Sequence, residues 1–365
     1  MSQLPSARSG SLLSALFLSG LLASACATGS SGGTGGSGAQ GGDGGNGAQG
    51  GQGGSGAQGG NGQGGSLIGG NGGGPEIVPV IYIHTNTTLY EADPSAPDLA
   101  VKEIGPIDCI GGAGEDTSLT DLAVSATGEI WGVSKTSVFR LKIEGSTVLC
   151  SQTIPMQNPG DIRFYGLTFA PKGVLDPEKE VLIAGNTAGE LWAVSDTGQL
   201  SLHGTLGTVP VNDGNGHTYP NAGKKWELSG DLVFVENGGN PAGFATVRDC
   251  PNPPETIGCN PIDTLVELDV AKLASAGATS VLKSLRGQIV KAEGCNDSSD
   301  GYGGVFGITA WKDKVFGFSR EVNIGGLAIT IENDKGTACA IKGFSQEWSG
   351  AGITTTAEVD IPPPK

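Results

Sequence analysis

Six of the seven cysteines lie after residue 100, and an even number favours disulfides if the chain is exported, which the N-terminal residues described below predict. Their spacing favours particular pairs, because Cys109 and Cys295 each lie 13 residues before an apolar strand start of a repeat described below. The predicted disulfides are Cys109–Cys150, Cys250–Cys259 and Cys295–Cys339. A zinc site is the weaker alternative, because the sequence has no C-x₂-C spacing and only three histidines.

Residues 296–301, with the sequence NDSSDG, place oxygen-bearing side chains at alternate positions. This spacing matches the first half of a calcium loop, in which alternate residues direct oxygen atoms to one centre and a glycine permits a sharp turn. Asn296, Ser298 and Asp300 are therefore candidate calcium ligands, and calcium is the only cofactor that the sequence indicates. A plain polar turn beside Cys295 is the alternative, and the sequence leaves both open.

Catalytic motifs are absent from the sequence. The three histidines, His84, His203 and His217, are scattered, and we expect a structural role for His84 within a strand and an exposed position for His203. No nucleophile elbow, zinc-protease helix, Walker A loop or c-type haem motif occurs. We therefore predict no catalytic residue.

The net charge of −16 is confined to residues 75–365, because Arg8 and Asp43 cancel in the segment before them. Nucleic-acid binding needs clusters of lysine and arginine, so an acidic domain of this size argues against nucleic acid as a partner. The same charge argues against electrostatic docking on anionic lipid.

Residues 1–25 have the organisation of a bacterial secretion signal, with Arg8 followed by an apolar run over residues 12–22. The segment Ala23-Ser24-Ala25-Cys26 resembles a lipobox, which implies that Cys26 is diacylated and becomes the first residue of the mature chain. Ala27 follows the cysteine, which by the enterobacterial pattern implies sorting to the outer membrane. An ordinary signal peptide cut after Ala25 or Ala27 is the alternative.

Residues 26–74 are rich in glycine, with 26 of the 65 glycines between positions 29 and 74. They contain a nine-residue period that resembles the calcium-binding repeat of toxins. The repeat lacks the aspartate ligand, which Gln40, Gln49 and Gln58 replace, and it lacks the apolar residue as well. We therefore predict a flexible tether between the lipid anchor and the domain at residues 75–365.

The domain contains a repeated β unit. Apolar second-strand segments recur at residues 81–85, 130–134, 183–187, 243–247 and 315–319. Third-strand segments follow at residues 89–92, 138–141, 191–194, 265–268 and 327–330, and first-strand segments precede four copies at residues 122–124, 167–169, 232–234 and 308–310. The first copy has no such strand upstream, whereas residues 352–355 at the C-terminal end supply one.

This arrangement is typical of an all-β propeller closed by pairing of a C-terminal strand with the N-terminal blade, because closure removes free sheet edges. We predict five blades, or six or seven if the long fourth segment contains another. The architecture resembles that of NHL-type and gluconolactonase/regucalcin-type propellers, with no signature that transfers a catalytic residue. A pair of β-sandwiches is the alternative fold.

Aromatic residues fall into two groups. Trp131, Trp192, Trp311 and Trp348 recur at blade positions, which favours packing between blades. The segments 219–226 and 302–304 combine aromatic residues with glycine, and we expect them at the mouth of the central channel.

The leading functional hypothesis is a monomeric, lipid-anchored binding module for a protein, glycan or small ligand. A metal-dependent lactonase-like hydrolase is the second hypothesis, with Asp121, Asp231, Asn215 and Asp300 as candidate central ligands. A structural envelope component is the third. Three or more carboxylate or amide oxygens meeting in the channel would favour the enzyme, whereas a channel lined by apolar and glycine positions would favour the binding module.

Overall fold

In the part of the chain that the structure describes, short apolar runs between turns form twenty β-strands and one short 3₁₀ helix, Val270–Ala274. The structure is a computed structural model, and it describes residues 78–111, 116–157, 163–255, 257–296, 298–321 and 325–363. The predicted signal peptide, Cys26 and the predicted tether lie outside the described residues. No helix among the described residues is long and apolar enough to cross a membrane.

The strands form five four-stranded antiparallel sheets. In chain order they are β1 (Ile81–His84), β2 (Thr88–Ala92), β3 (Lys102–Pro106), β4 (Asp121–Val124), β5 (Ile130–Val133), β6 (Ser137–Glu144), β7 (Thr147–Pro155), β8 (Phe164–Ala170), β9 (Val181–Asn186), β10 (Glu190–Val194), β11 (Leu200–Thr205), β12 (Glu227–Asn237), β13 (Asn240–Arg248), β14 (Thr264–Leu268), β15 (Leu282–Gln288), β16 (Val305–Trp311), β17 (Lys314–Glu321), β18 (Gly325–Glu332), β19 (Ala338–Phe344) and β20 (Gly350–Gly352). Blade I contains β20, β1, β2 and β3, and blades II to V take the remaining strands in successive fours. The predicted five-bladed propeller is confirmed.

The ring closes through β20, which pairs with β1 in the register Gly350↔His84 and Gly352↔Tyr82. The C-terminal strand therefore supplies the innermost strand of the N-terminal blade, as predicted, although it begins two residues earlier than expected. Gly350 explains the shift, because a Cβ atom there would collide with the side chains of His84 and Asp121. Only glycine lets the strand approach the channel centre at this point.

After β20 the chain crosses one end of the channel. Single parallel bridges join Thr354 to Val124, Glu358 to Glu236 and Val359 to Lys312, at the ends of the innermost strands of blades II, IV and V. This C-terminal segment therefore covers the end of the channel at which the innermost strands finish.

Apolar side chains between neighbouring blades form the core. Trp348 is fully buried, and its ring makes edge contacts with Tyr90 at 5.3 Å and Phe344 at 5.0 Å between ring centroids. Trp131 and Trp192 are partly buried against the core between blades II and III. The tryptophans thus pack between blades, as the repeat predicts.

The structure contains the three predicted disulfides. Cys109–Cys150 links the segment after β3 to β7, and Cys295–Cys339 links the loop after β15 to β19. Cys250–Cys259 closes the loop between β13 and β14. Each crosslink therefore fixes a connecting segment against a blade.

Candidate functional site

The innermost strands meet at the channel centre, where the residues just before the repeated apolar positions are Asp121, Gly166, Asp231 and Gly307 in blades II to V. Glycine is needed at two of these positions, because a Cβ atom at Gly166 would meet Leu232 and one at Gly307 would meet the backbone of β20. The channel centre therefore admits two polar side chains.

The carboxyl groups of Asp121 and Asp231 are completely buried and join neighbouring blades. One oxygen of Asp121 accepts the amide of Leu167 in blade III at 2.5 Å. The two oxygens of Asp231 accept the amides of Leu232 at 2.5 Å and of Ile308 in blade V at 2.6 Å. These bonds satisfy backbone donors that would otherwise be buried without a partner.

The two carboxyl groups also lie close enough to each other for each to shift the pKa of the other. Burial raises the pKa of Asp121 well above its usual value, and the nearby charge of Asp231 raises it further. Burial likewise raises the pKa of Asp231, although its hydrogen bonds act against that shift. The pair therefore keeps a proton at a pH where exposed aspartates have lost theirs.

His84 lies beside this pair and is fully buried. Its Nδ1 donates to the carbonyl oxygen of Thr85 at 2.7 Å, so Nε2 is the unprotonated nitrogen of the neutral ring. Burial lowers the pKa of His84 to about 4, so the ring is neutral at pH 7. Its Nε2 lies 3.9 Å from an oxygen of Asp121, and neither atom has a hydrogen-bond partner among the described residues.

A cavity of about 450 Å³ opens at the end of the channel where the innermost strands begin. This is the opposite end from the C-terminal segment. Blades I to V all contribute to its lining, which comprises Asn86, Ser118, Leu119, Thr120, Arg163, Tyr165, Thr187, Glu227, Leu228, Ser229, Arg248, Phe306, Arg320 and Ser349. Its size falls in the range typical of small-molecule sites.

Three of the five arginines after residue 74 line this cavity, and none of the described lysines does. Arg248 is held by Asp263 at 3.2 Å through its Nε and by Ser229 at 2.8 Å. The side chain of Arg163, in contrast, is exposed and has no hydrogen-bond or ion-pair partner in the part of the chain that the structure describes. Of these two guanidinium groups, that of Arg248 is fixed, whereas that of Arg163 has no partner among the described residues.

The third arginine, Arg320, is part of a hydrogen-bond network. It donates to Ser349 Oγ at 2.6 Å and to Asn86 Oδ1 at 3.3 Å, and its Nε lies 3.3 Å from Glu347. Ser349 also donates to Asn86 Oδ1 at 2.8 Å. These contacts fix the orientation of the Asn86 amide, whose nitrogen has no partner among the described residues.

Among the described residues of the lining, Glu227 is the one carboxylic acid. Glu227 is buried and lies opposite Arg248 in the register of β12 and β13, and one of its carboxyl oxygens contacts Cys250 of the Cys250–Cys259 disulfide. Burial raises the pKa of Glu227 to about 7, an effect that Arg248 opposes and Asp263 strengthens. A carboxyl group with a pKa near neutrality inside a cavity is a typical feature of functional sites.

The aromatic residues expected at the channel mouth are elsewhere. Tyr219, Trp226 and Tyr302 are buried in the core, and Tyr219 packs edge-on against Trp226 at 5.1 Å between ring centroids. That expectation was wrong because large aromatic rings in a repeat with a narrow channel are needed between blades. Tyr165 and Phe306 line the mouth instead.

The predicted calcium ligands Asn296, Ser298 and Asp300 lie exposed in the turn after Cys295, and Asp297 lies outside the described residues. Calcium binding there stays a prediction. Elsewhere among the described residues, two groups of acidic and cysteine side chains lie close enough together to hold a metal ion. One contains Cys109 and Cys150, and the other contains Cys250 and Cys259. Those cysteines are in disulfides and cannot act as thiolate ligands.

The four candidate ligands of a central metal do not meet. Asp121 and Asp231 come together at the channel centre, whereas Asn215 donates to the carbonyl of Arg286 on β15 at 3.1 Å. Asp300 lies in the exposed turn after β15. Within the described residues, the channel centre therefore brings together two of the four candidate ligands with glycines around them, an arrangement that matches neither of the two outcomes stated above.

The other two histidines do not line the mouth cavity. His203 is partly buried, not exposed as expected, and lies 2.9 Å from the carbonyl of Leu273 through Nδ1. His217 pairs with Asp213 at 2.9 Å. Both have local partners that account for their positions.

Sequence reasoning missed Arg163, Arg248, Arg320 and Glu227. A signal for two of them was present, because Arg248 and Arg320 each directly follow a second-strand segment of the repeat. The second strands of all blades end at the same face of a propeller, so polar residues that directly follow these strands collect at that face. Arg163 lies just before β8 and Glu227 is the first residue of β12, so both lie at this face, where the innermost strands begin.

No protein-family model matches the sequence, and no curated protein matches it. Solved structures with a similar fold include a protein of unknown function from Bacteroides caccae (9% identity, TM-score 0.37, covering 76% of this chain and 99% of that chain). They also include the Dos1 propeller (12% identity, TM-score 0.32, covering 71% and 56%) and a candidate 6-phosphogluconolactonase from Bacteroides fragilis (11% identity, TM-score 0.33, covering 73% and 81%). Similarities this weak carry no argument about ligand or activity.

Proposed function

We propose that this chain is an exported, lipid-anchored binding protein whose propeller holds a small anionic ligand at the open mouth of its channel. The observation that carries the proposal is the concentration of Arg163, Arg248 and Arg320 in one cavity of a strongly acidic chain. Guanidinium groups bind planar oxyanions through paired hydrogen bonds, which a lysine does not.

The geometry of the cavity supports binding more than chemistry. Arg248 and Arg320 are held by neighbouring side chains, so little conformational entropy is lost when a ligand binds them. The acidic surface repels anions in general, so the arginines have a local role that the net charge of −16 does not predict.

The lipid anchor and the tether belong to the proposal. A diacylated Cys26 would attach the chain to the membrane, since more than one acyl chain gives stable anchoring. The tether at residues 27–74 would hold the cavity roughly 35–42 Å from the surface, at about 5–6 Å times the square root of its length. Membrane fractionation of a Cys26→Ser variant tests this part, and an unchanged membrane fraction would overturn it.

A hydrolase is the second candidate, and Glu227 is the observation that favours it. A glutamate with a pKa near 7 beside Arg248 has the properties of a general acid or base. The metal-dependent, lactonase-like form of this candidate has less support, because Asp121 and Asp231 are occupied by backbone amides.

The test is titration of the full chain in detergent with inorganic phosphate, citrate, D-galacturonate and N-acetylneuraminate, measured by isothermal titration calorimetry. We expect at least one of these anions to bind, and Arg163→Gln to weaken that binding about tenfold or more, as expected for a charged hydrogen bond. Arg163 is the residue to change because no described contact depends on it.

Arg140→Gln is the matched control. Arg140 is exposed, pairs with Glu129 on blade II and does not line the cavity. Loss of binding in both variants, or in neither, would overturn the proposal. Slow turnover of a lactone by the wild type and its loss in Glu227→Gln would favour the hydrolase instead.

A further inference from the structure

We infer that the ligand is a sugar that carries one carboxylate, bound as a free sugar or a terminal residue with the carboxylate on the Arg163–Arg248 side of the cavity. The inference rests on the proposed function, since it specifies the anion that the cavity holds. It follows from how charge, short polar groups and aromatic rings are divided around the lining.

The positively charged groups that can bind a ligand lie on blades III and IV. Arg163 precedes β8 and has no partner among the described residues, and Arg248 ends β13 with one terminal nitrogen uncommitted. Arg320, on blade V, is already engaged by Asn86, Ser349 and Glu347. The site thus offers a cationic side of limited charge, which matches a single carboxylate.

The opposite side, formed by blades I and II, has short uncharged polar groups. Asn86, Ser118, Thr120 and Ser349 come from these two blades. The amide nitrogen of Asn86 is the clearest contact for a ligand hydroxyl, because its oxygen is occupied by Ser349 and Arg320 while its nitrogen has no partner among the described residues. Amides and hydroxyls both donate and accept, as recognition of sugar hydroxyls requires.

Tyr165 and Phe306 provide apolar walls between the two polar sides. Aromatic rings cover the C–H faces of a sugar ring, while the polar groups at the edge bind its hydroxyls. The cation of Arg320 lies 5.4 Å from the Phe306 ring and holds that ring in place. This combination of apolar walls with a few placed polar groups is typical of small-ligand sites.

Glu227 argues against a phosphate dianion. Its carboxyl group is buried in the lining beside Arg248, so an anion bound at Arg248 faces a group that is ionised part of the time. Repulsion grows with the charge of the ligand, which favours a monoanionic carboxylate over a phosphate. The same carboxyl group, with a proton, can donate to a hydroxyl or accept from one.

The depth of the site limits the ligand to a free sugar or a chain end. Below the cavity the channel is filled by Asp121, Asp231 and His84, and the C-terminal segment covers the far end. A polysaccharide therefore cannot thread through the propeller. A cavity of about 450 Å³ suits one or two sugar rings that enter from the open face.

The experiment compares matched ligands by calorimetry on the full chain in detergent. The carboxylated probes are D-galacturonate, D-glucuronate and N-acetylneuraminate, and each is paired with its methyl ester. D-galactose, acetate and inorganic phosphate separate the contribution of the sugar from that of the charge. We expect one carboxylated sugar to bind at least tenfold more tightly than its ester, the neutral sugar and acetate.

Two variants locate the ligand within the cavity. Arg163→Gln should remove most of the difference in affinity between the acid and its ester. Asn86→Ala should lower the affinity for the acid and for the ester by the same factor. Thermal unfolding of each variant checks that the fold is retained. Arg140→Gln, outside the cavity, should change neither ratio.

Each outcome decides the inference. If phosphate or acetate binds as tightly as the best carboxylated sugar and this binding depends on Arg163, the inference of a sugar ligand is overturned. The proposed function, an anion-binding site in the cavity, is then retained. Equal binding of acid and ester would overturn the inference and the proposed anionic ligand together. No binding of any probe would overturn both.

Discussion

Glu227 and Asp231 lie four residues apart on β12, one at the mouth of the channel and the other at its centre. Both are buried and both have a raised pKa, yet their partners differ. Both carboxyl oxygens of Asp231 accept backbone amides, whereas Glu227 lies opposite an arginine in the strand register and lines a cavity. A perturbed pKa alone therefore does not identify a ligand site in this fold, and the nature of the partners does.

The same contrast separates the polar groups of the two regions. At the centre, three of the four carboxyl oxygens of Asp121 and Asp231 accept backbone amides, two of them from neighbouring blades, and the remaining Asp121 oxygen and His84 Nε2 are completely buried. At the mouth, Arg163 and the Asn86 amide nitrogen have no partner among the described residues and face an open cavity. Changes at the centre should therefore alter stability, and changes at the mouth should alter binding.

The largest expected effect comes from Asp231→Ala at the centre. The change leaves the buried amides of Leu232 and Ile308 without their side-chain acceptor and removes the carboxyl group that lies beside Asp121. We expect the free energy of unfolding to fall by about 3–5 kcal/mol, because each buried unsatisfied group costs roughly 1–3 kcal/mol. Denaturant unfolding followed by tryptophan fluorescence measures the loss.

Asp196→Ala is the control for that prediction, because Asp196 is an exposed partner of Lys179. Exposed pairs contribute about 0–1 kcal/mol, so this variant should unfold almost like the wild type. Equal stability of the Asp231 and Asp196 variants would show that the central carboxyl pair does not hold the blades together.

The sequence predicted the architecture because propeller blades repeat. Strand-sized apolar segments returned in the same order five times, and the missing first strand of the N-terminal copy required closure from the C-terminal end. The cysteines could be paired for the same reason, since Cys109 and Cys295 occupy equivalent positions in two copies. Because the unit repeats, the place of a residue within its copy predicts its position in the folded ring.

The site was not predictable in the same way, because its residues come from irregular segments before and after the strands. Arg163, Glu227 and Ser349 lie at the starts of innermost strands in three blades, at different distances from the repeated apolar positions. Nothing in their spacing along the chain indicates that the ring brings them to one cavity. The sequence indicates Asp121 and Asp231 as candidate central residues, but the backbone amides that they accept depend on strand register, which the sequence does not specify.

A smaller effect is expected from Asp121→Asn, which tests whether the central pair retains a proton. Burial and the charge of Asp231 raise the pKa of Asp121 above 3.8, so the folded protein binds more protons than the unfolded chain. The contribution to stability is therefore full below that value and is lost as pH rises toward the raised pKa. We expect the wild type to lose more free energy of unfolding between pH 5 and pH 8 than the asparagine variant.

Urea unfolding at pH 5, 6.5 and 8 measures this difference. His84 acts in the opposite direction, because its pKa is lowered from 6.5 to about 4 and its contribution is lost as pH falls through that interval. Both proteins contain His84, so its contribution largely cancels in the comparison. Parallel pH profiles would mean that Asp121 ionises in the fold as an ordinary aspartate.

The smallest expected effect is at the mouth, where Glu227→Gln should alter the pH dependence of binding and leave stability nearly unchanged at pH 6. The pKa of Glu227 is about 7, so its carboxyl group gains a negative charge between pH 6 and pH 8. That charge competes with a bound carboxylate for Arg248, so the affinity of the wild type for the best carboxylated sugar should fall. A like-charge interaction of about 0.5–1 kcal/mol corresponds to a roughly two- to fivefold loss of affinity.

The glutamine variant should bind equally well at both pH values, since the ligand carboxylate stays ionised throughout. Calorimetry at pH 6 and pH 8 distinguishes the two proteins, and an identical decline in both would place the titrating group outside the cavity and remove Glu227 from the binding site.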